Sequence, residues 1–345
     1  TIAGDEKLQT ILVTPNVRRA YAYPIPSADL NRKIATFREA VQNPSSDPKP
    51  LAAELYRMLI VPALASDLEQ AHARTLMFSL DGALRYIPLA ALYDGRRYLI
   101  EKYRLEVFTP ASAARLKDEP KADWRLAGFG VTRAFGDFPA LPNVAAELSG
   151  IVERDAIPGD VLLDDQFSQS ALVDRLRRGY SVVHIATHFN FAPGDESRSF
   201  LLLGDGRRLT LAELDAMVNP FRGVDLLTLS ACNTGVGDGR ELEGLGVIAQ
   251  RKGAKAVVAT LWPVADDSTS EFMRAFYRLR QSEPRLAKAE ALRQAQLRLL
   301  KGEARPAEPS AARGVRRTSA DAPVKPRDWS HPYYWAPFFL MGNWL

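Results

Sequence analysis

The chain holds a single cysteine, Cys232, in the string VDLLTLSACNTGVGDGRE, just past an apolar run and just before a glycine-rich loop. Upstream, His188 ends a matching apolar run, YSVVHIATHF. A thiol attacks a carbonyl only once deprotonated, and a neighbouring imidazole takes that proton and later returns it to the leaving amine. Two hydrophobic strands that each deliver one of these groups therefore spell a nucleophile and its base. In open parallel α/β sheets the ligand crevice lies beyond the strand C-termini, which is where both residues fall. The Cys232 N–H, facing the loop, is placed to help stabilise an oxyanion. Residue types alone leave a second reading open, in which Cys232 is a small buried hydrophobe and His188 a satisfied structural group.

Other candidates cluster around this pair. His184 precedes His188 by four residues, so both side chains point to one face of the sheet; a hydrogen bond in the core behind the site is its expected role. Gly235, Gly237 and Gly239 lie between a strand and a helix, but their spacing is neither GxGxxG nor that of a loop ending in GK[ST]. They read as a mobile loop beside the site, which rearranges to admit substrate. Trp262, Asp266 and Asp267 follow the strand VVATLW and are expected at the same crevice, Trp262 as a wall and an aspartate as an orienting group. Asp267 or Ser268 also fits as the cap of the following helix. Asp164 and Asp165 read as a solvated turn. No metal site and no cofactor is expected, since a lone cysteine supplies no zinc-binding thiolate set.

The elements that must hold these groups are legible in the hydrophobic pattern. Residues 1–50 are rich in proline and polar side chains around one amphipathic helix near Leu30 to Val41. LAAELYRMLIVPAL reads as a helix ended by Pro62, and TLMFSLDGALRYIPLAAL as a strand, an Asp81–Gly82 turn and a second apolar segment. LEVFTP is a further strand. From WRLAGFGVT onward strands and helices alternate, with Ser168 or Ser170, Thr210 and Gly253 as helix boundaries. Continuous Val/Leu/Ile strands interleaved with helices predict a mostly parallel sheet covered on both faces. Residues 301–328 carry few large apolar side chains and read as a disordered loop. HPYYWAPFFLMGNW then returns as a final strand.

At 46% hydrophobic and 25% charged residues the composition is that of a soluble globular protein. A net charge of +4 with Lys and Arg interspersed among Asp and Glu argues for solubility rather than a nucleic-acid or membrane partner. One cysteine means the fold does not depend on an oxidising compartment. A cytoplasmic location is expected; because the chain begins at Thr1 and reads as a fragment or processed form, a periplasmic or secreted one stays open.

HIATHF, LSACNTG, ATLWPVADDST, ALRQAQLRL and HPYYWAPFFLMG occur in that order, and SLDGALRYIPLAALYDGRRYLIEKYRLEVFTPASA lies upstream. Together they resemble the CHAT family of caspase-like cysteine peptidases. The resemblance implies an α/β, caspase-haemoglobinase-like fold with a mostly parallel sheet flanked by helices. Its implied division is an N-terminal extension over 1–50, a degenerate caspase-like half over 51–120 and an active half over 121–345. It further implies a dyad of His188 and Cys232, with the backbone N–H groups of Phe189 and Cys232 as oxyanion donors. Relatives often have glycine where Phe189 stands. Those that cut after Arg or Lys commonly hold an acidic residue where Ser230 stands, so a substrate-binding role for Ser230, with Trp262 and Asp266, does not carry a basic preference. The implied activity is cleavage of a specific protein, controlled by an attached N-terminal repeat or sensor region. A catalytically silent scaffold and a thiol hydrolase or acyltransferase acting on small molecules are the alternatives.

Overall fold

The computed structural model describes residues 1–154, 157–190, 192, 195–230, 241–264, 266–303 and 328–345. The chain opens with three strands, β1 (Ile2–Ala3), β2 (Lys7–Val13) and β3 (Arg18–Pro24), which pair antiparallel in that order. Next come α1 (Ser27–Gln42), α2 (Lys49–Leu59), α3 (Pro62–Gln70), β4 (Thr75–Phe78), α4 (Leu99–Lys102) and β5 (Arg104–Val107). The second half runs β6 (Leu126–Gly130), α5 (Val144–Ser149), β7 (Gly159–Leu163), α6 (Gln169–Arg177) and β8 (Val182–Ala186). A small antiparallel sheet of β9 (Phe189–Asn190), β10 (Phe200–Leu202) and β11 (Arg208–Thr210) follows, then α7 (Leu211–Ala216) and β12 (Leu226–Leu229). The remainder is α8 (Glu241–Arg251), β13 (Ala256–Thr260), α9 (Asp266–Ser282), α10 (Lys288–Leu300), α11 (Pro332–Trp335) and β14 (Phe338–Gly342). No described helix is long and apolar enough to cross a membrane.

Eight strands form one sheet in the order β4-β5-β14-β13-β12-β8-β6-β7. Every neighbouring pair is parallel except β13 with β14. The reversal divides the sheet into a block of three strands and a block of five. The mostly parallel sheet expected from the Val/Leu/Ile runs is thus present, and its consecutive strands β13, β12, β8 and β6 are buried along their whole length.

Side-chain alternation assigns the two faces. Val182, Leu226, Ala256 and Val258 join a core cluster with α1, α2, α9 and α10. Val183, Ile185, Leu227, Leu229 and Val257 join a second cluster with α6, α7 and α8. The first cluster takes in Leu8, Leu76 and Leu340 alike, so residues far apart in the chain share one core.

Local signals explain the boundaries. Ser168 accepts the Ala171 N–H at 3.2 Å and caps α6. Thr210 and Glu213 form a reciprocal capping box on α7. Gly253 follows α8 with φ 119°, the left-handed region that only glycine enters at no cost. Pro62 departs from its expected role. The helix before it ends at Leu59, and Pro62 is the first residue of α3, where its missing N–H costs nothing. The N-terminal strands β1–β3 precede the one helix expected in residues 1–50, and strand β7 forms where the sequence reading placed no element.

Gly204 illustrates how tightly the loops over the sheet are set. A Cβ there would lie 1.9 Å from the backbone oxygen of Asp164. Asp164 is itself held, its carboxylate accepting the Thr132 N–H at 2.8 Å and hydroxyl at 2.6 Å. Backbone cannot rotate away as a side chain does, so Gly204→Ala is expected to destabilise by about 1–3 kcal/mol. Denaturant midpoints that coincide for the two proteins would contradict this.

Candidate active site

His188 stands two residues past β8, 4% exposed. Its Nε2 lies 2.8 Å from the carbonyl oxygen of Pro139. A carbonyl only accepts, so Nε2 carries the hydrogen and Nδ1 is the lone-pair nitrogen of a neutral ring. The Phe138 ring packs over the imidazole with centroids 5.2 Å apart and meets Phe200 edge-on at 6.1 Å. Phe135 and Phe138 exchange two backbone hydrogen bonds of 3.0 Å, so the segment that clamps the ring is itself a closed turn. The backbone at His188 is also fixed: its oxygen accepts the Leu202 N–H at 2.9 Å, and the Thr187 hydroxyl donates to the Leu202 oxygen at 2.6 Å.

Burial lowers the His188 pKa below the ordinary histidine value, and the bond to Pro139 only partly opposes this. The ring is therefore neutral near pH 7 and fit to accept a proton at Nδ1. Because the folded value lies below the unfolded one, protonation opposes folding, and this contribution to stability is lost as the pH falls below about 6.5. An imidazole NMR titration of Cys232→Ala is expected to give His188 a midpoint under about 6.5. A midpoint above that value would mean that a charged partner, not burial, dominates.

Ser230 is half-buried one residue past β12, and its N–H donates to the Ile185 oxygen at 2.9 Å. The β8–β12 ladder thus continues beyond the last paired residues toward the loops that follow both strands. Phe189 opens β9, opposite Leu201, with its side chain buried. Trp262 is 1% exposed and its indole N–H donates to the Tyr333 oxygen at 3.1 Å; it packs under the C-terminal segment. Asp267 accepts the Ser268 N–H at 3.0 Å. Asp266 is the first residue of α9, but its side chain lies outside the described residues. Cys232 and the glycines at 235, 237 and 239 lie outside them too, as does the segment 304–327 within the expected loop.

The other histidines separate cleanly from His188. His184 is fully buried, with Nε2 2.9 Å from a Glu147 carboxylate oxygen. The approach does not meet hydrogen-bond geometry, making this a close polar contact rather than an aligned hydrogen bond. His331 donates through Nε2 to the Ser46 oxygen and accepts the Tyr333 N–H at Nδ1, which occupies both ring nitrogens in holding α11. Asp165 pairs with Arg133, as a surface turn would. Among the described residues no cluster of three His, Cys, Asp or Glu is arranged to hold a metal.

Two groups at the site escape a reading of residue types. Phe138 and the Pro139 carbonyl carry no motif, because any residue supplies a backbone oxygen. Glu147 did leave a signal. It shares the face of Val144, Leu148 and Ile151 by helical spacing, all of them buried, and an acid on an apolar stripe calls for a partner.

Residues 49–343 match the family model described as the CHAT domain. No curated protein matches the chain. Among solved structures, the complex of the pro- and mature domains of RgpB from Porphyromonas gingivalis aligns with 92% of this chain and 77% of its own, at 8% identity and TM-score 0.49. The separase–securin complex of Saccharomyces cerevisiae aligns with 94% of this chain and 20% of its own, at 12% identity and TM-score 0.48.

Proposed function

The chain belongs to the CHAT domain family, and from that premise we propose that it is a cysteine endopeptidase in which Cys232 is the nucleophile and His188 its base. One observation carries the reading. Strands β8 and β12 are parallel neighbours with Ile185 paired to Leu229, and three residues on from each stand His188 and Cys232. The motif order supports the same pair, as does an imidazole held neutral with Nδ1 free to accept.

In this reading Nδ1 of His188 takes the proton of the Cys232 thiol, and the thiolate attacks the scissile carbonyl carbon. The backbone N–H groups of Phe189 and Cys232 receive the oxyanion. His188 then protonates the departing amine, and a water activated by the same ring hydrolyses the thioester. Pro139 keeps Nε2 protonated throughout, so Nδ1 does all the proton transfer. Ser230 and Asp266 belong to the substrate-binding side, with Trp262 supporting it from beneath the C-terminal segment, and the neutral hydroxyl at Ser230 supplies no charge to select a basic P1 side chain. The division into an N-terminal extension (1–50), a degenerate half (51–120) and an active half (121–345) is part of the same proposal, as is control by an attached repeat or sensor region.

N-terminomics of host lysate tests it, comparing the full-length protein with its Cys232→Ala variant. New N-termini that depend on Cys232 are expected, and they read out the P1 preference directly. Identical sets of N-termini would put the silent scaffold in its place.

A further inference from the structure

Behind the proposed dyad lies a polar cluster that the chemistry above does not use. His184 of β8, Thr228 of β12, Tyr277 of α9 and Glu147 of α5 meet with none of them more than 1% exposed. His184 sits 2.9 Å from Glu147 and stacks on the Tyr277 ring with centroids 5.6 Å apart and planes 30° from parallel. The Tyr277 hydroxyl lies 2.7 Å from the Thr228 hydroxyl. Thr228 and His184 are themselves register partners across the two strands.

Apolar side chains would fill this space at less cost than a buried acid, imidazole, phenol and hydroxyl. What such a cluster supplies is a preferred arrangement, because the Tyr277–Thr228 hydrogen bond and the close His184–Glu147 contact are both made in one register only. In a sheet that matters, since a slip of one residue turns every side chain to the opposite face.

We propose that the His184–Glu147–Tyr277–Thr228 cluster is the positioning device of the dyad, an inference that rests on the peptidase reading above. His184 stands four residues before His188 on β8, and Thr228 four residues before Cys232 on β12. The cluster therefore locks the relative register of the two strands one step behind the reacting groups. Its third arm reaches the clamp on the imidazole. Glu147 lies in α5, and the segment just before α5 carries Pro139, which binds His188 Nε2. That segment is pinned at Leu141, whose N–H donates to the Thr132 oxygen at 3.1 Å, and at Val144, whose N–H donates to the Leu141 oxygen at 3.2 Å. A shift of α5 away from His184 would carry the Pro139 carbonyl with it.

The test uses this chain with Glu147→Gln and with the milder Tyr277→Phe, which keeps the stack and removes only the link to Thr228. Leu55→Ala in α2 serves as a core variant outside the cluster. Two readouts are followed, the NMR signals and titration midpoint of the His188 imidazole and the alkylation rate of Cys232 by iodoacetamide. Glu147→Gln is expected to displace the His188 signals and to slow alkylation about tenfold, a modest misplacement being enough for that. Tyr277→Phe should change both in the same direction by less, and Leu55→Ala should leave both at parental values. Parental readings in both cluster variants would overturn the proposal, and so would equal losses in Leu55→Ala. The His188 signals report the bond to Pro139 whether or not Cys232 is reactive. A parent whose alkylation ignores His188→Ala would thus sink the peptidase reading while the imidazole readout still decides the cluster's role.

Discussion

Replacing His188 with alanine is expected to slow alkylation of Cys232 near pH 7 by about 10- to 30-fold and peptide-bond turnover by about 10²–10⁴-fold. The two figures differ for a physical reason. An unassisted thiol is only a few per cent thiolate at neutral pH, so full deprotonation raises its reactivity toward a small alkylating agent by no more than that factor. Turnover also requires the returned proton on the leaving amine, and general acid–base catalysis contributes the larger range. Cys232 is the chain's only cysteine, so a single added mass measures its labelling without ambiguity. Folding of the variant is checked alongside, since His188 bonds Pro139 and packs on Phe138. Equal alkylation rates in parent and variant would remove the dyad.

The second large effect is on stability and concerns Glu106 in β5. Its side chain is 1% exposed, neither carboxylate oxygen has a hydrogen-bond partner among the described residues, and it lines a cavity of about 30 Å³ together with Arg85, Leu292 and Phe338. Burial pushes its pKa from the ordinary 4.5 up to about 8, against the opposing pull of the Lys288 charge. Between those two values the folded chain keeps a proton that the unfolded chain releases. Unfolding therefore becomes easier as the pH rises through that window, by about 1.4 kcal/mol per pH unit at most. Glu106→Gln removes the titration at nearly constant shape, so its advantage over the parent should grow from near zero at pH 4.5 to a few kcal/mol at pH 8.5. Urea denaturation of both proteins across this range provides the measurement. Parallel pH profiles would show that Glu106 is ionised in the folded chain.

Much of the architecture was legible because its causes are local. Thr210 with Glu213, Ser168 before α6 and Gly253 after α8 each act within a few residues, and the runs VVHIA, LLTL and AVVAT are apolar but for His184, Thr228 and Thr260 because both faces are covered. The family could be read for the same reason, its motifs lying in and just after those strands. The departures have physical causes too. Pro62 is equally compatible with ending a helix and beginning one, and the deciding contact, the docking of α3 through Leu64 and Leu68, lies outside the local window. The N-terminal strands pair only with one another, and their proline-flanked, half-exposed sequence carries weak alternation. The reversal of β14 against β13 brings together segments distant in the chain, and no local side-chain pattern encodes the direction in which they meet.

At the site, His188 stood out by residue type and position, whereas the carbonyl that fixes its tautomer belongs to Pro139 and had no signature. The buried charges tell the same story. Lys288 and Asp225 are both fully buried and lie 3.4 Å apart. In sequence they look like two ordinary surface residues, because a pair distant in the chain is recognisable only once the fold has brought it together.

In the proposed dyad the β8–β12 register sets Cys232 beside His188. The measurement that tests it most directly is the separation of Cys232 Sγ and His188 Nδ1 in a crystal structure of the chain. About 3–4 Å is expected, hydrogen-bond reach with the looseness usual before substrate binds, with Nε2 still on the Pro139 carbonyl. A separation beyond about 7 Å with substrate-mimicking peptide bound, or a ring turned so that Nδ1 faces Pro139, would contradict it.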